Sequence, residues 1–388
     1  MAINLGDLAV TIASAVTVLS IVVVVHELGH FWAARACGVA VDAFSLGWGK
    51  SLVEWQDKAG VRWKIARWPI GGFVKFKGDE NAASFNIAGY TDPEERAEGR
   101  KAGVLQAMPL WVRAFVSAAG PLANFVFAVL VFAALFWAVG RPEPPERAEP
   151  VIAVVQEGSA AEQAGLVAGD RIRAVDARRV SSFADLQGLI AESGGRNLRL
   201  EVQRGDDVLV LDVTPELRRI EAAPGEPQEI GVLGILRDGV ERLSPIGALG
   251  AGIEQTWSIL SGTVVYLGKL LTGAASSEHL AGPLGIADMS GQVAKEALSV
   301  SGLDFGRQAL LLTAALAQLA AALSVAIGFA NLLPIPLLDG GHLVFYAAEA
   351  IRGRPLGPRA QAIGFNIGLF AVACLFLFAT WNDIRRIF

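Results

Sequence analysis

Cysteine is scarce in this sequence of 388 residues, where Cys37 and Cys374 are the only two. Two thiols cannot build a disulfide framework or a cysteine-based zinc site. Histidine is nearly as rare, with four residues in all. A concentrated basic stripe is also missing, because Lys and Arg are spread along the chain and the formal net charge is -5. We therefore expect no nucleic-acid partner.

Apolar residues, in contrast, make up 53% of the chain, and the mean hydropathy is +0.45. These values are too high for one soluble domain and favour a membrane protein with more than one unit. Four segments reach the roughly 20 apolar residues that a spanning helix needs, at about 8–28, 111–139, 309–333 and 360–381. The first segment ends in HELGH rather than in a cleavage site, so we expect a retained span and not a signal peptide.

The basic residues of the loops predict the orientation of these spans. Twelve Lys and Arg residues lie between 34 and 113, and the short loop after the third span carries Arg352, Arg354 and Arg359. We therefore expect both loops to face the cytoplasm, and both termini and the long segment 141–244 to lie outside. This arrangement corresponds to a multi-pass protein of a bacterial inner membrane, with its external parts in the periplasm.

The first span ends in polar residues, which are costly at membrane depth and typical of functional sites there. His26 and His30 are four residues apart, so their imidazoles share one face of a helix and can bind one metal ion. Glu27 completes the H-E-x-x-H pattern, in which a carboxylate takes a proton from water beside a zinc ion. The pattern also arises by chance, but here it uses two of only four histidines. It predicts bound Zn²⁺.

A catalytic zinc site usually has a third protein ligand, and the segment NLLPIPLLDGGH, residues 331–342, offers Asp339. Its prolines end a helix, and Gly340 and Gly341 permit a sharp turn. Taken alone, an Asp-Gly pair is commonly no more than a turn or a helix cap. The loop charges, however, make the third span run in the same direction as the first. Asp339 is therefore expected at the depth of His26.

Together these residues resemble the site-2 proteases, and within them the regulator of sigma E protease type. The resemblance is carried by HELGHFWAAR in the first span, AAGPLANF (residues 118–125) in the second and NLLPIPLLDGGH at the third. It implies that three residues, His26, His30 and Asp339, are the zinc ligands. It also implies that Glu27 is the general base and that Asn331 contacts the scissile peptide.

Both asparagines of these motifs have alternatives. The Asn331 amide can donate to a developing oxyanion, or it can tie down backbone that Pro334 frees. Asn124 can contact the substrate, or it can bond across helices as a packing residue. His342 is expected to be structural, because the three-ligand count is already met.

A short sheet is predicted over residues 43–78. The stretch VRWKIARW alternates apolar and basic residues, and DKAG before it is a turn signal. A free edge of such a sheet can add an extended substrate as a further strand. We expect Gly72, Phe73 and Val74 to take part in this binding. The resemblance implies that the sheet re-enters the membrane.

The region between the second and third spans divides into three parts. Residues 141–150 predict a stiff, Pro-rich linker. Residues 151–236 contain GSAAEQAGLVAGDRIRAVDARRV and resemble a single PDZ module. Residues 245–305 predict an amphipathic segment on the outer face, because Glu254 and Lys269 interrupt its apolar run and a fifth crossing would reverse the third span.

The sequence thus predicts a polytopic α-helical membrane protein with four transmembrane helices, a membrane-associated β-sheet and an inserted periplasmic PDZ-like α+β domain. Residues 1–140 and 309–388 are the two membrane halves. We expect an intramembrane zinc metalloprotease of single-span membrane proteins, with its active site near the cytoplasmic side. The resemblance implies an anti-sigma factor, already cut in the periplasm, as substrate. The alternatives are an inactive PDZ-containing scaffold, against which Glu27 argues, and a membrane-tethered protease with an external site, which the loop charges oppose.

Overall fold

The computed structural model of the chain describes residues 5–78, 92–143, 145–223, 226–237, 240–277, 280–300 and 304–387. The chain divides into two compact units. Unit one comprises Met1–Leu135, Leu249–Val264 and Ser277–Phe388, and unit two comprises Phe136–Ala248 and Val265–Ser276.

The elements are numbered in chain order. The helices are α1 Leu5–Ala36, α2 Pro93–Lys101, α3 Leu110–Val139, α4 Ala160–Gln163, α5 Phe183–Ala191, α6 Pro245–Leu271, α7 Pro283–Ser299, α8 Phe305–Asn331, α9 Asp339–Arg352 and α10 Pro358–Ile387. The strands are β1 Val41–Gln56, β2 Arg62–Phe76, β3 Arg141–Pro142, β4 Ile152–Val155, β5 Arg171–Val175, β6 Arg178–Arg179, β7 Leu198–Arg204, β8 Asp207–Val213, β9 Glu216–Ala223, β10 Glu226–Val232, β11 Ile235–Arg237 and β12 Val240–Glu241.

Four of the described helices, α1, α3, α8 and α10, are long and apolar enough to cross a membrane. They coincide with the four predicted segments, which confirms that prediction. α6 is not among them, in line with its expected amphipathic character. The segment predicted over 245–305 contains two helices, α6 and α7.

Helix α7 joins the beginning of α1 to the end of α10. One glycine of α7 lies so close to α1 that an added Cβ would collide with Thr11. Asp383 of α10 accepts hydrogen bonds from the backbone N–H groups of Gly282 and Gly285, at 3.0 and 2.8 Å. This buried carboxylate satisfies donors that are otherwise orphaned at a helix start. His26 is about 22 Å further along α1 than Thr11, at 1.5 Å per residue, so the HELGH motif lies at the other end of the bundle.

Helices α1 and α8 pack side by side and run in the same direction. Val18 and Val22 of α1 meet Ala320 of α8, and all three are fully buried. The HELGH turn of α1 and Asn331 at the end of α8 border one cavity. The predicted common direction of the first and third spans is therefore confirmed.

Strands β1 and β2 form an antiparallel sheet over the predicted segment 43–78. Asp57 starts the expected turn, and its carboxylate accepts hydrogen bonds from the backbone N–H groups of Ala59 and Val61. Residues 43–46 pair with 62–65 on one side and with 72–75 on the other. Within the described residues, the end of β2 is therefore an edge of the sheet.

Unit two is built around a four-stranded sheet in the order β6-β5-β7-β8, with the smaller pairs β11-β4, β10-β9 and β12-β3. Its core includes Ile172, Leu186 and Leu200, which are fully buried. The stiff linker predicted over residues 141–150 is partly packed into this unit. Ala148 is buried in this core, and its carbonyl accepts a hydrogen bond from the Phe183 N–H at 2.8 Å. An apolar residue between the prolines anchors the segment to the unit.

Candidate metal centre and active site

Helix α1 presents His26 and His30 on one face, as their spacing requires. Their Nε2 atoms are 3.2 Å apart, and the two rings are nearly perpendicular, with centroids 4.8 Å apart. Glycines let α3 come close to this face. A Cβ at Gly29 would collide with the Ala119 carbonyl of α3, and a Cβ at Gly120 would collide with Nε2 of His30.

Asp339 is the first residue of α9 and is buried. Helix α8 stops at Asn331, ahead of the two prolines, and the chain then folds back tightly against the start of α9. A Cβ at Gly340 would collide with the Leu332 carbonyl, and one at Gly341 would collide with that of Ile335. The two glycines therefore permit the close approach that turns Asp339 toward α1.

The three side chains meet at one point. Asp339 Oδ2 lies 3.2 Å from His26 Nε2, and Asp339 Oδ1 lies 3.4 Å from His30 Nε2. A tetrahedral zinc ion with bonds of about 2.05 Å separates its ligand atoms by about 3.3 Å. The donor set and its spacing fit zinc. Among the described residues, this is the one group of His, Cys, Asp or Glu side chains that could hold a metal ion.

Helix α3 contacts the other side of both imidazoles. The Val116 carbonyl accepts a hydrogen bond from His30 Nδ1 at 2.8 Å. The Asn124 amide lies 3.4 Å from His26 Nδ1, and its side chain is fully buried. Such outer contacts orient histidines that ligate metals.

A cavity of about 250 Å³ opens in front of the three side chains. It is lined by His26, Glu27, His30, Trp48, Gly72, Phe73, Val74, Phe76, Asn331, Leu337, Leu338, Asp339, His342 and Phe365. Of the site residues expected from the sequence, all but Asn124 are in this lining. A Cβ at Gly72 would lie 3.5 Å from the Glu27 Cγ, so the motif lies against the edge of β2.

The sheet is fixed to α1 by aromatic rings. Phe31, which follows His30, contacts Phe44 and Trp63 edge to face, with centroids 5.9 and 5.3 Å apart. Asp57 adds a hydrogen bond from Trp63 Nε1 at 3.2 Å. The sheet edge is thereby held in register with the histidines.

Sequence reasoning missed one polar contact behind the site. Arg113 of α3 is 2% exposed and donates two hydrogen bonds to Glu349 of α9, at 2.9 and 2.5 Å. Its guanidinium also lies over the Tyr346 ring, 5.1 Å from the centroid. A charged residue at the start of an apolar span was the available signal for Arg113. The signal did not identify its partner, 236 residues away.

Comparison with known proteins identifies the family. The model of Peptidase family M50 matches residues 14–375 of the chain. The chain belongs to peptidase family M50. This is the family of the site-2 proteases, so the resemblance seen in the motifs is confirmed.

Relatives of this M50 peptidase agree along their whole length. A protein of Agrobacterium fabrum named as a zinc metalloprotease is 42% identical over 98% of this chain and 97% of its own. Another, from Rhizobium meliloti, is 39% identical over 100% of both chains. Metalloprotease MmpA of Caulobacter vibrioides is 39% identical over 97% of this chain and 96% of its own. The M50 chain is a zinc-dependent membrane metalloprotease, as predicted.

Proposed function

We propose that this M50 protease hydrolyses a peptide bond within or next to the transmembrane segment of a single-span membrane protein. One observation carries the proposal. Donor atoms from α1 and α9 meet beside Glu27, in a cavity at the ends of two helices that are apolar enough to span a membrane. An active site in that place can reach a chain that lies in the bilayer.

Each residue then has a role. His26, His30 and Asp339 would hold Zn²⁺, which would supply a Lewis acid able to lower the pKa of a water molecule to roughly 7. Glu27 accepts a proton from the attacking water and returns it to the leaving amide nitrogen. Asn331, at the end of α8 and in the cavity lining, donates a hydrogen bond to the carbonyl oxygen of the scissile peptide.

The edge of β2 holds the substrate in an extended form. A helical substrate buries its carbonyls in hydrogen bonds, so it has to unwind before a water molecule can attack. Gly72, Phe73 and Val74 border the cavity, and the opposite side of this segment is already paired with residues 43–46. The outer side is available to add the substrate as a strand.

We assign the protein to the bacterial inner membrane, with both termini and unit two in the periplasm and the active site near the cytoplasmic side. The loop charges support this orientation. The contacts of α7 with the start of α1 and the end of α10 put the two terminal helix ends on one side. By resemblance the substrate is an anti-sigma factor that has already been cut in the periplasm.

Residues 151–236 are assigned as a PDZ-like domain that controls which substrates enter. In support, α5 and residues 230–235, from the end of β10 to the start of β11, border a groove of about 210 Å³. Ser182 and Asp185 form a capping box at the start of α5, which fixes that side of the groove. The domain acts as a filter that excludes substrates with bulky external parts.

The test is the position of the cut. The full chain is reconstituted in lipid vesicles with a single-span protein whose external domain has been trimmed, and the products are analysed by mass spectrometry. We expect a cut within the apolar segment or a few residues from it. A cut confined to regions outside the membrane would contradict the proposal. Glu98→Gln, an acid-to-amide change on the exposed face of α2, controls for the substitution Glu27→Gln, which should give no cut.

A further inference from the structure

Two neutral imidazoles can hold a metal through Nε2 only when each carries its proton on Nδ1. For His30 the structure shows how this is achieved. The Val116 carbonyl, which can only accept, lies 2.8 Å from His30 Nδ1. The proton is therefore on Nδ1, and the Nε2 lone pair points toward Asp339, 3.4 Å away.

His26 has the Asn124 amide in the equivalent place. The Asn124 side chain is fully buried, and its Nδ2 atom is placed 3.4 Å from His26 Nδ1. In that orientation the amide donates, so the neutral imidazole would carry its proton on Nε2. The Asn124 oxygen, also buried, has no hydrogen-bond partner among the described residues. An unpaired buried acceptor destabilises the folded state.

A half-turn of the Asn124 amide gives its oxygen a partner and moves the His26 proton away from Nε2. Amide oxygen and nitrogen have nearly the same shape, and their assignment follows from the hydrogen bonds they make. After the turn, the Asn124 oxygen accepts from His26 Nδ1–H, and His26 Nε2 is left without a proton beside Asp339.

We propose that Asn124 is a positioning residue that fixes the tautomer of His26 through this hydrogen bond. The proposal rests on the proposed roles of His26, His30 and Asp339 as zinc ligands. In this assignment α3 supplies one acceptor for each histidine, the Val116 carbonyl and the Asn124 side chain. Asn124 then contributes to metal binding, and not to contact with the substrate or to packing alone, the two roles that the sequence left open.

The packing around Asn124 holds it in place. A Cβ at Gly328 of α8 would lie 3.1 Å from the Asn124 Cβ. The Ser324 hydroxyl of α8 donates a hydrogen bond to the backbone carbonyl of Asn124 at 3.2 Å. Asn124 is also absent from the cavity lining. A rigid amide behind His26 suits orientation of the ring better than contact with a passing peptide.

Two substitutions separate this role from packing. Asn124→Asp retains an acceptor for His26 Nδ1–H, and Asn124→Leu retains the approximate volume but has no acceptor. Zinc affinity is measured on the purified full chain by competition with a chelator. We expect Asn124→Asp to bind zinc as well as the wild type or better, and Asn124→Leu to bind about 10- to 100-fold more weakly. If the residue only packs, the order reverses, because Leu is tolerated and a buried charge is not.

Asp339→Ala in the same titration tests the proposed ligand set separately from the role of Asn124. If Asp339→Ala binds zinc like the wild type, the proposed ligand set fails. If it binds zinc weakly while Asn124→Leu binds normally, only the role of Asn124 fails. Nitrogen-15 NMR of histidine in the zinc-loaded wild type needs no variant to fold. It should show a His26 Nδ1–H that exchanges slowly with solvent, and a His26 Nδ1 without a proton would overturn the proposal.

Discussion

Glu27 and Asp339 are carboxylates in one cavity, but their neighbours differ. The oxygens of Asp339 lie 3.2 and 3.4 Å from imidazole nitrogens, whereas Glu27 lies beside Gly72 at the edge of β2. A carboxylate between two histidines is placed to complete a metal site, and one at a sheet edge is placed to move protons beside a bound peptide. The H-E-x-x-H spacing predicted Glu27, whereas Asp339 was predicted from the loop charges and from the resemblance to the site-2 proteases. The approach of Gly72 to Glu27 could not be predicted, because glycine has no side chain whose pattern would indicate the contact.

Gly120 is a glycine at which an added methyl group would meet both proposed histidine ligands. Its Cβ would collide with Nε2 of His30 and lie 2.8 Å from His26 Cε1, so Gly120→Ala must displace a histidine. We expect weaker zinc binding and a fall in kcat/KM of about 100-fold, the usual effect of a misplacement near 1 Å. Gly262→Ala, on a helix position with open space around it, is the matched control. Equal zinc affinity in both variants would contradict this use of Gly120.

Asp170 stabilises unit two through a hydrogen-bonded ion pair. Its buried carboxylate accepts two hydrogen bonds from Arg204, both at 2.8 Å, and one from the Val167 N–H at 2.9 Å. Burial raises the pKa of the Asp170 carboxyl, but the hydrogen bonds and the charge of Arg204 outweigh burial and hold the pKa below its ordinary value. The stabilisation is therefore complete above pH about 4 and is lost as the pH falls toward the folded-state pKa.

Asp170→Asn should remove this dependence on pH. We expect the variant to lose about 1–3 kcal/mol of stability in unit two at neutral pH and to lose less than the wild type when the pH is lowered. Hydrogen exchange of peptides from residues 151–236, measured on the full chain, reports both changes. Asp212→Asn, an exposed carboxylate 3.8 Å from Arg199, should behave like the wild type. If Asp170→Asn lost as much protection on acidification as the wild type, the role of the Asp170–Arg204 pair would be contradicted.

At the scale of elements, helix α9 sets the position of Asp339. Its first residue is Asp339, and its third turn carries Glu349, which binds Arg113 of α3. Tyr346 stacks under the guanidinium. The ion pair therefore fixes α9 to α3, the helix that also contacts both histidines.

Breaking this pair should affect stability and the metal site together. Glu349→Gln leaves the Arg113 guanidinium buried without its counter-charge, at an expected cost of about 3–5 kcal/mol. Thermal unfolding in detergent and zinc affinity are measured on the same samples. The double variant Arg113→Met with Glu349→Leu removes both charges and should recover most of the stability. A single variant as stable as the wild type would show that α9 is held by other contacts.

Helices and strands could be predicted from the sequence where an apolar run or an alternating pattern was long. The four spans follow from runs of about 20 apolar residues, and the sheet over 43–78 follows from alternation and a turn. Helices α7 and α9 were not separated from their surroundings. Each begins at a tertiary contact, the Asp383 carboxylate for α7 and the tightly packed Gly340 and Gly341 for α9. The Asp383 contact joins distant parts of the chain, and the glycines of α9 pack against backbone atoms, so neither contact is visible in a local pattern.

For the whole molecule, unit two is expected to control access. β3 pairs with β12, and Arg141 binds Glu241 at 3.0 Å, so the chain enters and leaves the unit at adjacent points. A short Gly-Ser linker from 143 to 240 can therefore replace the intervening residues and leave this pair intact. If the unit is a filter, the deletion should permit cleavage of untrimmed substrate and leave the rate for trimmed substrate unchanged. Slower cleavage of trimmed substrate by a zinc-loaded deletion variant would indicate a docking site instead.

The division of the chain into membrane and inserted parts could be predicted from composition, but the boundary of unit two could not. The Pro-rich stretch indicated a linker at 141–150, whereas Ala148 is part of the core of the unit. Proline content reports the stiffness of a segment and not what one apolar residue within it contacts.

The zinc content and the cleavage activity of Glu27→Gln, measured on one purified sample, test the proposed chemistry most directly. Glu27 lies beside the proposed ligands without being one of them, so the variant should bind about one zinc per chain and cleave no substrate. Asp339→Ala, measured in parallel, should lose zinc and activity together. Turnover by Glu27→Gln at a rate near that of the wild type would contradict the assignment of Glu27 as the general base.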